Sequence, residues 1–176
     1  ATYEPQVKKP LWGEYRGYTF STNQPPGGGI MLIEMLNILE NFDLVAIGHN
    51  TPKYISVVSE AMKIATTDKD EHVGDPNFVD VPVDLLIDKA YAKTKSEEIK
   101  RGEIHHVERL GIPEAQKTTQ ISVLDQFGNA VSMTHSLGMM SGVITEGLGF
   151  MYNGCMAVFD PRPGHTGSIM PGKSRF

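Results

Sequence analysis

The residues best suited to chemistry in this sequence are two adjacent threonines, Thr118 and Thr119, which follow Lys117. A threonine hydroxyl is a weak nucleophile unless a base lies beside it. Cleavage of the bond between Lys117 and Thr118 would create that base, because a new α-amino group has an ordinary pKa of about 7.7–8.0 and can transfer protons near neutral pH. The alternative is that these β-branched residues only begin a strand, and composition alone favours that alternative.

The segments on either side of Thr118 differ in character. Residues 101–117 show no hydrophobic period and are interrupted by glycine and proline, so we expect an exposed connector that is open to cleavage. Residues 119–125 and 130–136 alternate between apolar and polar side chains, with a glycine-containing turn between them. This pattern predicts a β-hairpin directly after Thr118.

The first hundred residues predict one strand followed by helices. Residues 15–20 alternate as a strand does, and Thr51 followed by Pro52 is typical of a helix start. A third helix is predicted over residues 84–100. Helices followed by a hairpin indicate an α+β fold. The predicted buried faces of the first two helices consist of Leu32, Met35, Leu36 and Leu39, and of Ile55, Val58, Met62 and Ala65.

Composition argues against several classes of partner. The formal net charge is −5 over 176 residues, which disfavours a general binder of nucleic acid. No apolar run approaches the ~18 residues that a membrane span requires. Cys155 is the single cysteine, and adjacent His105 and His106 point in different directions and make a poor chelating pair. We therefore expect no metal and no cofactor.

Three blocks of the sequence, taken in order, resemble the γ-glutamyltranspeptidases, which are N-terminal-nucleophile amide hydrolases. Together the blocks cover most of residues 15–160. The first two resemble the large subunit of that family and the third resembles the start of its small subunit. The blocks are PPGGG at 25–29 with LIEMLNILE at 32–40, then EAMK at 60–63 with DKD at 68–70 and GDPNFV at 74–79, and finally TTQISVLD at 118–125 with GNAVSMT at 128–134.

The resemblance implies a four-layer αββα fold, incomplete in this chain, and a role for several residues. Residues 1–117 would be the end of a large subunit and 118–176 the start of a small one, with autocatalytic cleavage between Lys117 and Thr118. Thr118 would be the catalytic nucleophile, supported by a second catalytic threonine, Thr134. Ser136 and Asn153 would contact the substrate.

The resemblance also implies the partners. These would be a small-molecule amide or γ-glutamyl substrate, water or an amine as acceptor, and the remaining segments of the protein's own large and small subunits. The sequence departs from the family at Gly138, Cys155 and Val158, where the family has an asparagine, a glutamine and an acidic residue. A buried ammonium group without a carboxylate partner is costly. We therefore expect an acylase-like or amidase-like substrate that lacks a free α-ammonium group.

Parts of the family's active site fall outside the 176 residues. They are the paired glycines that stabilise the oxyanion, the serines near the substrate carboxylate and an upstream arginine. We therefore expect an internal piece of a longer protein that is inactive by itself, because an oxyanion donor contributes about 2.7–4 kcal/mol to catalysis. Two alternatives to an enzyme are a structural fragment without activity and a module that binds a small ligand without turnover.

Overall fold

The computed structural model describes residues 7–107 and 118–173. Lys117 and the connector from residue 108 onward lie outside the described residues. The described chain forms two compact units, one made of residues 7–107 with 161–173 and the other of residues 118–160. The sequence predicts a different division, between residues 117 and 118, where the chain would be cleaved into two subunits. That division stays a prediction.

Helices dominate the described part of the first unit. Three of them pack around an apolar core. Among the described residues, no helix combines the length and apolarity needed to span a membrane. The elements are β1 (Leu11–Tyr15), β2 (Tyr18–Thr22), α1 (Gly29–Leu39), α2 (Leu44–Ile47), α3 (Pro52–His72), α4 (Val83–Leu86) and α5 (Lys89–Lys100). The core around α1, α3 and α5 contains Ile38, Phe42, Val57, Ala61, Ile64, Ala92 and Ile99.

Hydrogen-bonding side chains mark the starts of α3 and α5. Thr51 Oγ1 accepts a hydrogen bond from the Tyr54 amide at 3.2 Å, and Pro52 follows in the first turn, which confirms the predicted start of α3. The single helix predicted over residues 84–100 is wrong, because α4 ends at Leu86 and α5 begins after Asp88. Asp88 Oδ1 accepts from the Tyr91 amide at 2.9 Å and so caps a new helix.

The strand predicted over residues 15–20 is also wrong, because a tight turn divides it. Arg16 and Gly17 have φ angles of 50° and 83°, as a two-residue hairpin turn requires. Tyr15 on β1 then pairs with Tyr18 on β2. The Arg16 amide donates to Glu40 Oε1 at 2.8 Å and its guanidinium donates to the Phe42 carbonyl at 3.0 Å, which holds a non-glycine residue in this conformation.

The buried faces of α1 and α3 differ from the predicted ones. Both predicted faces contain exposed residues, such as Leu32 on α1 and Met62 on α3, and Ala65 is the one predicted α3 position that is buried. The true faces include polar residues, which a search for apolar spacing does not find. On α1 the buried residues are Gly29, Ile30, Ile33, Glu34, Asn37 and Ile38, and on α3 they are Val57, Glu60, Ala61, Ile64, Ala65 and Asp68.

The second unit consists of two antiparallel hairpins and a short 3₁₀ turn. Pairing of β3 with β4 confirms the hairpin predicted after Thr118, and helices in one unit with antiparallel strands in both confirm the α+β class. The hairpin of β5 and β6 was not predicted. The elements are β3 (Thr118–Leu124), β4 (Ala130–Ser136), β5 (Met140–Ile144), β6 (Met151–Asn153) and the 3₁₀ turn Cys155–Val158.

A buried acid lies at the contact between α1, α3 and α5. Glu34 is fully buried, and within the described chain neither of its carboxyl oxygens has a hydrogen-bond partner. Burial, together with the neighbouring Asp68 carboxylate, raises the pKa of Glu34 from 4.5 to about 9. Asp68 accepts a hydrogen bond from the Tyr91 hydroxyl at 2.6 Å. Glu34 is therefore a neutral acid at pH 7.

Glu34→Gln is expected to stabilise the protein at pH 7 by about 2 kcal/mol. The folded-state pKa of Glu34 lies above its ordinary value of 4.5. The stability that Glu34 contributes to the free energy of unfolding is therefore fully present below about pH 4.5. It is lost as pH rises toward 9, because the unfolded chain releases this proton at a lower pH than the folded chain does. Glutamine removes this dependence, and urea unfolding of the full-length protein between pH 5 and 9 measures the difference.

The matched control for this test is Glu40→Gln, at the end of the same helix. Glu40 pairs with Lys89 and accepts from the Arg16 amide, and these hydrogen bonds lower the pKa of Glu40. Its replacement should leave the stability unchanged or reduce it. An equal gain from both substitutions would show that general charge, rather than burial of Glu34, controls the effect.

Candidate active site

Thr118 is the first residue of β3 and pairs with Ser136, the last residue of β4. Thr118 Oγ1 donates a hydrogen bond to Ser136 Oγ at 3.0 Å, and the Gly138 amide donates to the same serine oxygen at 3.0 Å. Ser136 Oγ thus accepts two hydrogen bonds, one from the Thr118 side chain and one from the Gly138 backbone. These contacts set the position of the Thr118 hydroxyl at the end of the hairpin.

The hairpin of β3 and β4 has one polar and one apolar face, because side chains alternate along a strand. Both faces are largely exposed in the described chain. The apolar face carries Ile121, Val123, Val131 and Met133, each of them at least half exposed. The polar face carries Thr118, Gln120 and Ser122 from β3 and Ser132, Thr134 and Ser136 from β4.

Gln120 links the middle of this polar face. Its Oε1 accepts a hydrogen bond from Thr134 Oγ1, and its Nε2 donates to Ser132 Oγ at 2.8 Å. Thr134 therefore reaches the site through Gln120, while Ser136 contacts Thr118 directly. The support of Thr118 by Thr134 stays a prediction. Sequence reasoning missed Gln120, although strand periodicity places it on the same face as Thr118; its position opposite Thr134 comes from the hairpin register.

Asn153 lies at the end of β6, on the second hairpin. Its Oδ1 accepts a hydrogen bond from the Cys155 amide at 3.1 Å. The amide of Gly154, which lies between these two residues, donates to the Leu137 carbonyl at 3.1 Å. The side chain of Asn153 thus orders the 3₁₀ turn, and its contact with a substrate stays a prediction. The turn brings Cys155 close to Gly138, where an added Cβ would lie 3.9 Å from the cysteine sulfur.

The turn between β3 and β4 is organised by Asp125. Its Oδ1 accepts from the amides of Phe127 and Asn129 at 2.8 and 2.9 Å, and its Oδ2 accepts from the Asn129 side chain at 2.8 Å. The hydrogen bond from the Asn129 side chain is the main reason that the pKa of Asp125 is lowered. A side chain that accepts from the residues after it in this way stabilises a tight turn.

Two groups of carboxylates in the first unit could hold a cation together with a histidine. His105 Nδ1 lies 3.0 Å from Glu60 Oε2, and His105 Nε2 lies 3.2 Å from Glu98 Oε2. Burial opposes ionisation of Glu60, but hydrogen bonds from Lys63 and His105 outweigh it and lower its pKa. Through His105 these contacts join Glu60 on α3 to Glu98 on α5, and the expectation of a site without metal stays a prediction. The two groups are Asp68, Glu71 and His72, and Glu98, Glu103 and His105.

Comparison with known proteins assigns the chain to a family. A family model described as Gamma-glutamyltranspeptidase matches residues 1–176, the whole chain. The chain belongs to the γ-glutamyltranspeptidase family. The resemblance carried by the three sequence blocks is thereby confirmed.

Relatives within the γ-glutamyltranspeptidase family include both acylases and glutathione hydrolases. The chain is 38% identical to the Acylase ACY 1 proenzyme of Pseudomonas sp. (strain V22), covering 100% of this chain and 32% of that protein. It is 37% identical to the Glutathione hydrolase proenzyme of Escherichia coli (strain K12), covering 93% of this chain and 30% of that protein. The chain thus spans about a third of the length of these curated relatives.

A solved structure supports the fold within the γ-glutamyltranspeptidase family. Cephalosporin acylase from Bacillus halodurans matches with a TM-score of 0.73 and 30% identity, covering 97% of this chain and 31% of the acylase chain. A match over nearly the whole described chain confirms that the helices and hairpins belong to the α+β fold of that protein.

Substitution of Gly138 tests the backbone that holds Ser136. Gly138 has a φ angle of 64° and open space around its Cα apart from Cys155. Left-handed backbone costs about 1–2 kcal/mol for most residues, and asparagine tolerates it better than β-branched residues do. Gly138→Val should therefore lower the free energy of unfolding by ~1–2 kcal/mol and Gly138→Asn by much less. Urea unfolding of the full-length protein measures both, and equal losses would contradict this explanation.

Proposed function

We propose that this chain forms part of an N-terminal-nucleophile amide hydrolase and acyltransferase that cleaves itself before Thr118. The observation that carries the proposal is the Thr118 hydroxyl, held by Ser136 at the start of β3, in a chain whose whole length matches the γ-glutamyltranspeptidase family. The word proenzyme in the names of the acylase and glutathione hydrolase relatives supports a precursor that is processed.

Self-cleavage would begin with attack of Thr118 Oγ on the carbonyl carbon of Lys117. The new C–O bond replaces the C–N bond, the hydroxyl proton passes to the nitrogen, and Thr118 acquires a free amino group. Water then hydrolyses the ester and releases the carboxyl group of Lys117. One cleavage supplies both the nucleophile and a base whose ordinary pKa lies near neutral pH.

The same hydroxyl would then attack the amide carbonyl of a substrate. The α-amino group of Thr118 takes the hydroxyl proton and returns it to the departing amine, which leaves an acyl ester on Thr118. Water or a second amine completes the cycle by attacking that ester. Ser136 accepts the hydrogen bond of Thr118 before attack, so it orients the nucleophile and leaves the Thr118 oxygen lone pairs available for the carbonyl carbon. Thr134 supports the same polar face through Gln120.

The substrate would be an amide whose acyl group lacks a free α-ammonium. Gly138 and Cys155 lie side by side near Ser136 and offer no carboxylate to an ammonium group. Similarity to Acylase ACY 1 and to cephalosporin acylase supports an acyl-amide substrate, while the lack of an α-ammonium group is proposed from Gly138 and Cys155. The partners would be this small molecule, water or an amine, and the remainder of the large and small subunits. Asn153 would contact the substrate beside Cys155.

Thr118→Ala is expected to leave the full-length protein as a single uncleaved precursor, because the attacking hydroxyl is gone. Thr118→Ser keeps a hydroxyl and should still cleave, although more slowly, because serine lacks the methyl group that restricts the rotamer. Intact-mass spectrometry with N-terminal sequencing measures both, and wild-type protein should show a new N-terminus at Thr118.

Thr119→Ala is the matched control, since Thr119 lies on the opposite face of β3. It should cleave at the same bond. Normal cleavage of Thr118→Ala would exclude Thr118 as the nucleophile for processing and would remove the basis of the proposed function.

The full-length enzyme is expected to hydrolyse a glutaryl anilide faster than the corresponding γ-glutamyl anilide. The two compounds differ only by the amino group, and the lack of charge-assisted hydrogen bonds to it costs ~1.5–3 kcal/mol for each bond. The kcat/KM ratio should therefore favour the glutaryl compound by about tenfold or more.

Val158→Asp tests where this preference originates. A carboxylate at position 158 should shift the kcat/KM ratio toward the γ-glutamyl anilide, whereas Val158→Asn, which is similar in size but uncharged, should shift it less. A clear preference of the wild-type enzyme for the γ-glutamyl anilide would replace the acylase proposal with an ordinary transpeptidase.

A further inference from the structure

We propose that Gln120 is a positioning residue for Thr118, a role that rests on the proposed function. Its carboxamide bridges β3 and β4 one position inward from the pair of Thr118 with Ser136 on the polar face. We infer that this bridge keeps the end of β3 paired with β4 once cleavage has made Thr118 a chain terminus.

The contacts of Gln120 use both ends of its carboxamide. Oε1 accepts from Thr134 Oγ1, while Nε2 donates to Ser132 Oγ at 2.8 Å and lies 3.3 Å from the Ile121 carbonyl. Ser132 and Thr134 are two residues apart on β4 and lie on the same face. A single side chain on β3 therefore holds two successive polar-face positions of β4, and an apolar side chain of the same size would hold neither.

The need for such a bridge follows from the position of Thr118. Terminal residues of a strand separate easily from their neighbour, because few contacts lie beyond them. After cleavage, Thr118 has no residue before it, and within the described part of the chain its side-chain hydrogen bond is the one with Ser136. The Gln120 bridge is the next side-chain link along the polar face, and small displacements of a nucleophile reduce rates strongly.

The test compares Gln120→Leu and Gln120→Glu in the full-length protein, with Ser122→Ala as the control. Leucine is close in size and removes both cross-strand contacts. Glutamate can accept from the Ser132 and Thr134 hydroxyls and so keeps both. Ser122 lies on the same face but farther from Thr118, and its contact with Ser132 is longer, at 3.4 Å.

Gln120→Leu is expected to lower kcat about tenfold with little change in KM, because loss of two hydrogen bonds disorders the nucleophile without removing a substrate contact. Gln120→Glu should restore most of kcat. The added carboxylate charge, about 7 Å from the Thr118 amino group, should raise the pKa of that amino group. The acid limb of the pH profile of kcat should therefore move to higher pH by ~0.4 pH unit. Ser122→Ala should stay within about twofold of wild type. All rates are normalised to the amount of Thr118 N-terminus found by mass spectrometry.

Backbone amide exchange of residues 119–121 and 134–136 provides a readout that is independent of activity. In Gln120→Leu it should be at least about fivefold faster than in wild type. Unchanged exchange or unchanged kcat in this variant would overturn the positioning role while leaving the proposed function intact. Retained activity in Thr118→Ala would instead overturn the proposed function, and the exchange measurement would still decide whether Gln120 holds the end of β3.

Discussion

The hydrogen bond from Thr118 to Ser136 depends on antiparallel pairing of β3 with β4 in one register. Side chains alternate along each strand, so this register also gathers Gln120 and Thr134 on the same face as Thr118. As a consequence, the apolar residues of β3 and β4 lie on the opposite face of the hairpin. The proposed nucleophile, Thr118, thus receives its neighbours from backbone pairing, and its side-chain contacts refine a position that the backbone has already set.

The helical unit shows a different balance between packing and polarity. Helices α1, α3 and α5 bury Glu34 and Asp68 alongside aliphatic side chains. Two carboxyl groups in one buried site do not both ionise here, because burial and the charge of Asp68 outweigh the attraction of Lys95 for an ionised Glu34. The interior of this unit therefore holds a proton between α1 and α3, in addition to the ordinary apolar contacts.

Local patterns in the sequence predicted the features that depend on neighbouring residues. The start of α3 at Thr51, the hairpin after Thr118 and the α+β class all follow from capping, alternation and element order. The buried faces of α1 and α3 did not follow, because Glu34 becomes a core residue only through a tertiary partner, Asp68. The contact of Gln120 with Thr134 needed the hairpin register, which no single strand specifies. The roles of the candidate site residues came from the family resemblance, since a pair of threonines at a strand start is common.

The Asp125 turn has a consequence for insertions and deletions. Its five backbone and side-chain hydrogen bonds set the length of the loop between β3 and β4, although the turn lies ~20 Å along the strand from Thr118. Adding or removing one residue there would shift the strands by one position and place Thr118 opposite the wrong neighbour. Loops at the surface ordinarily tolerate changes in length. This one would not, so a solvent-exposed turn far from Thr118 carries the same intolerance to length changes as the proposed site itself.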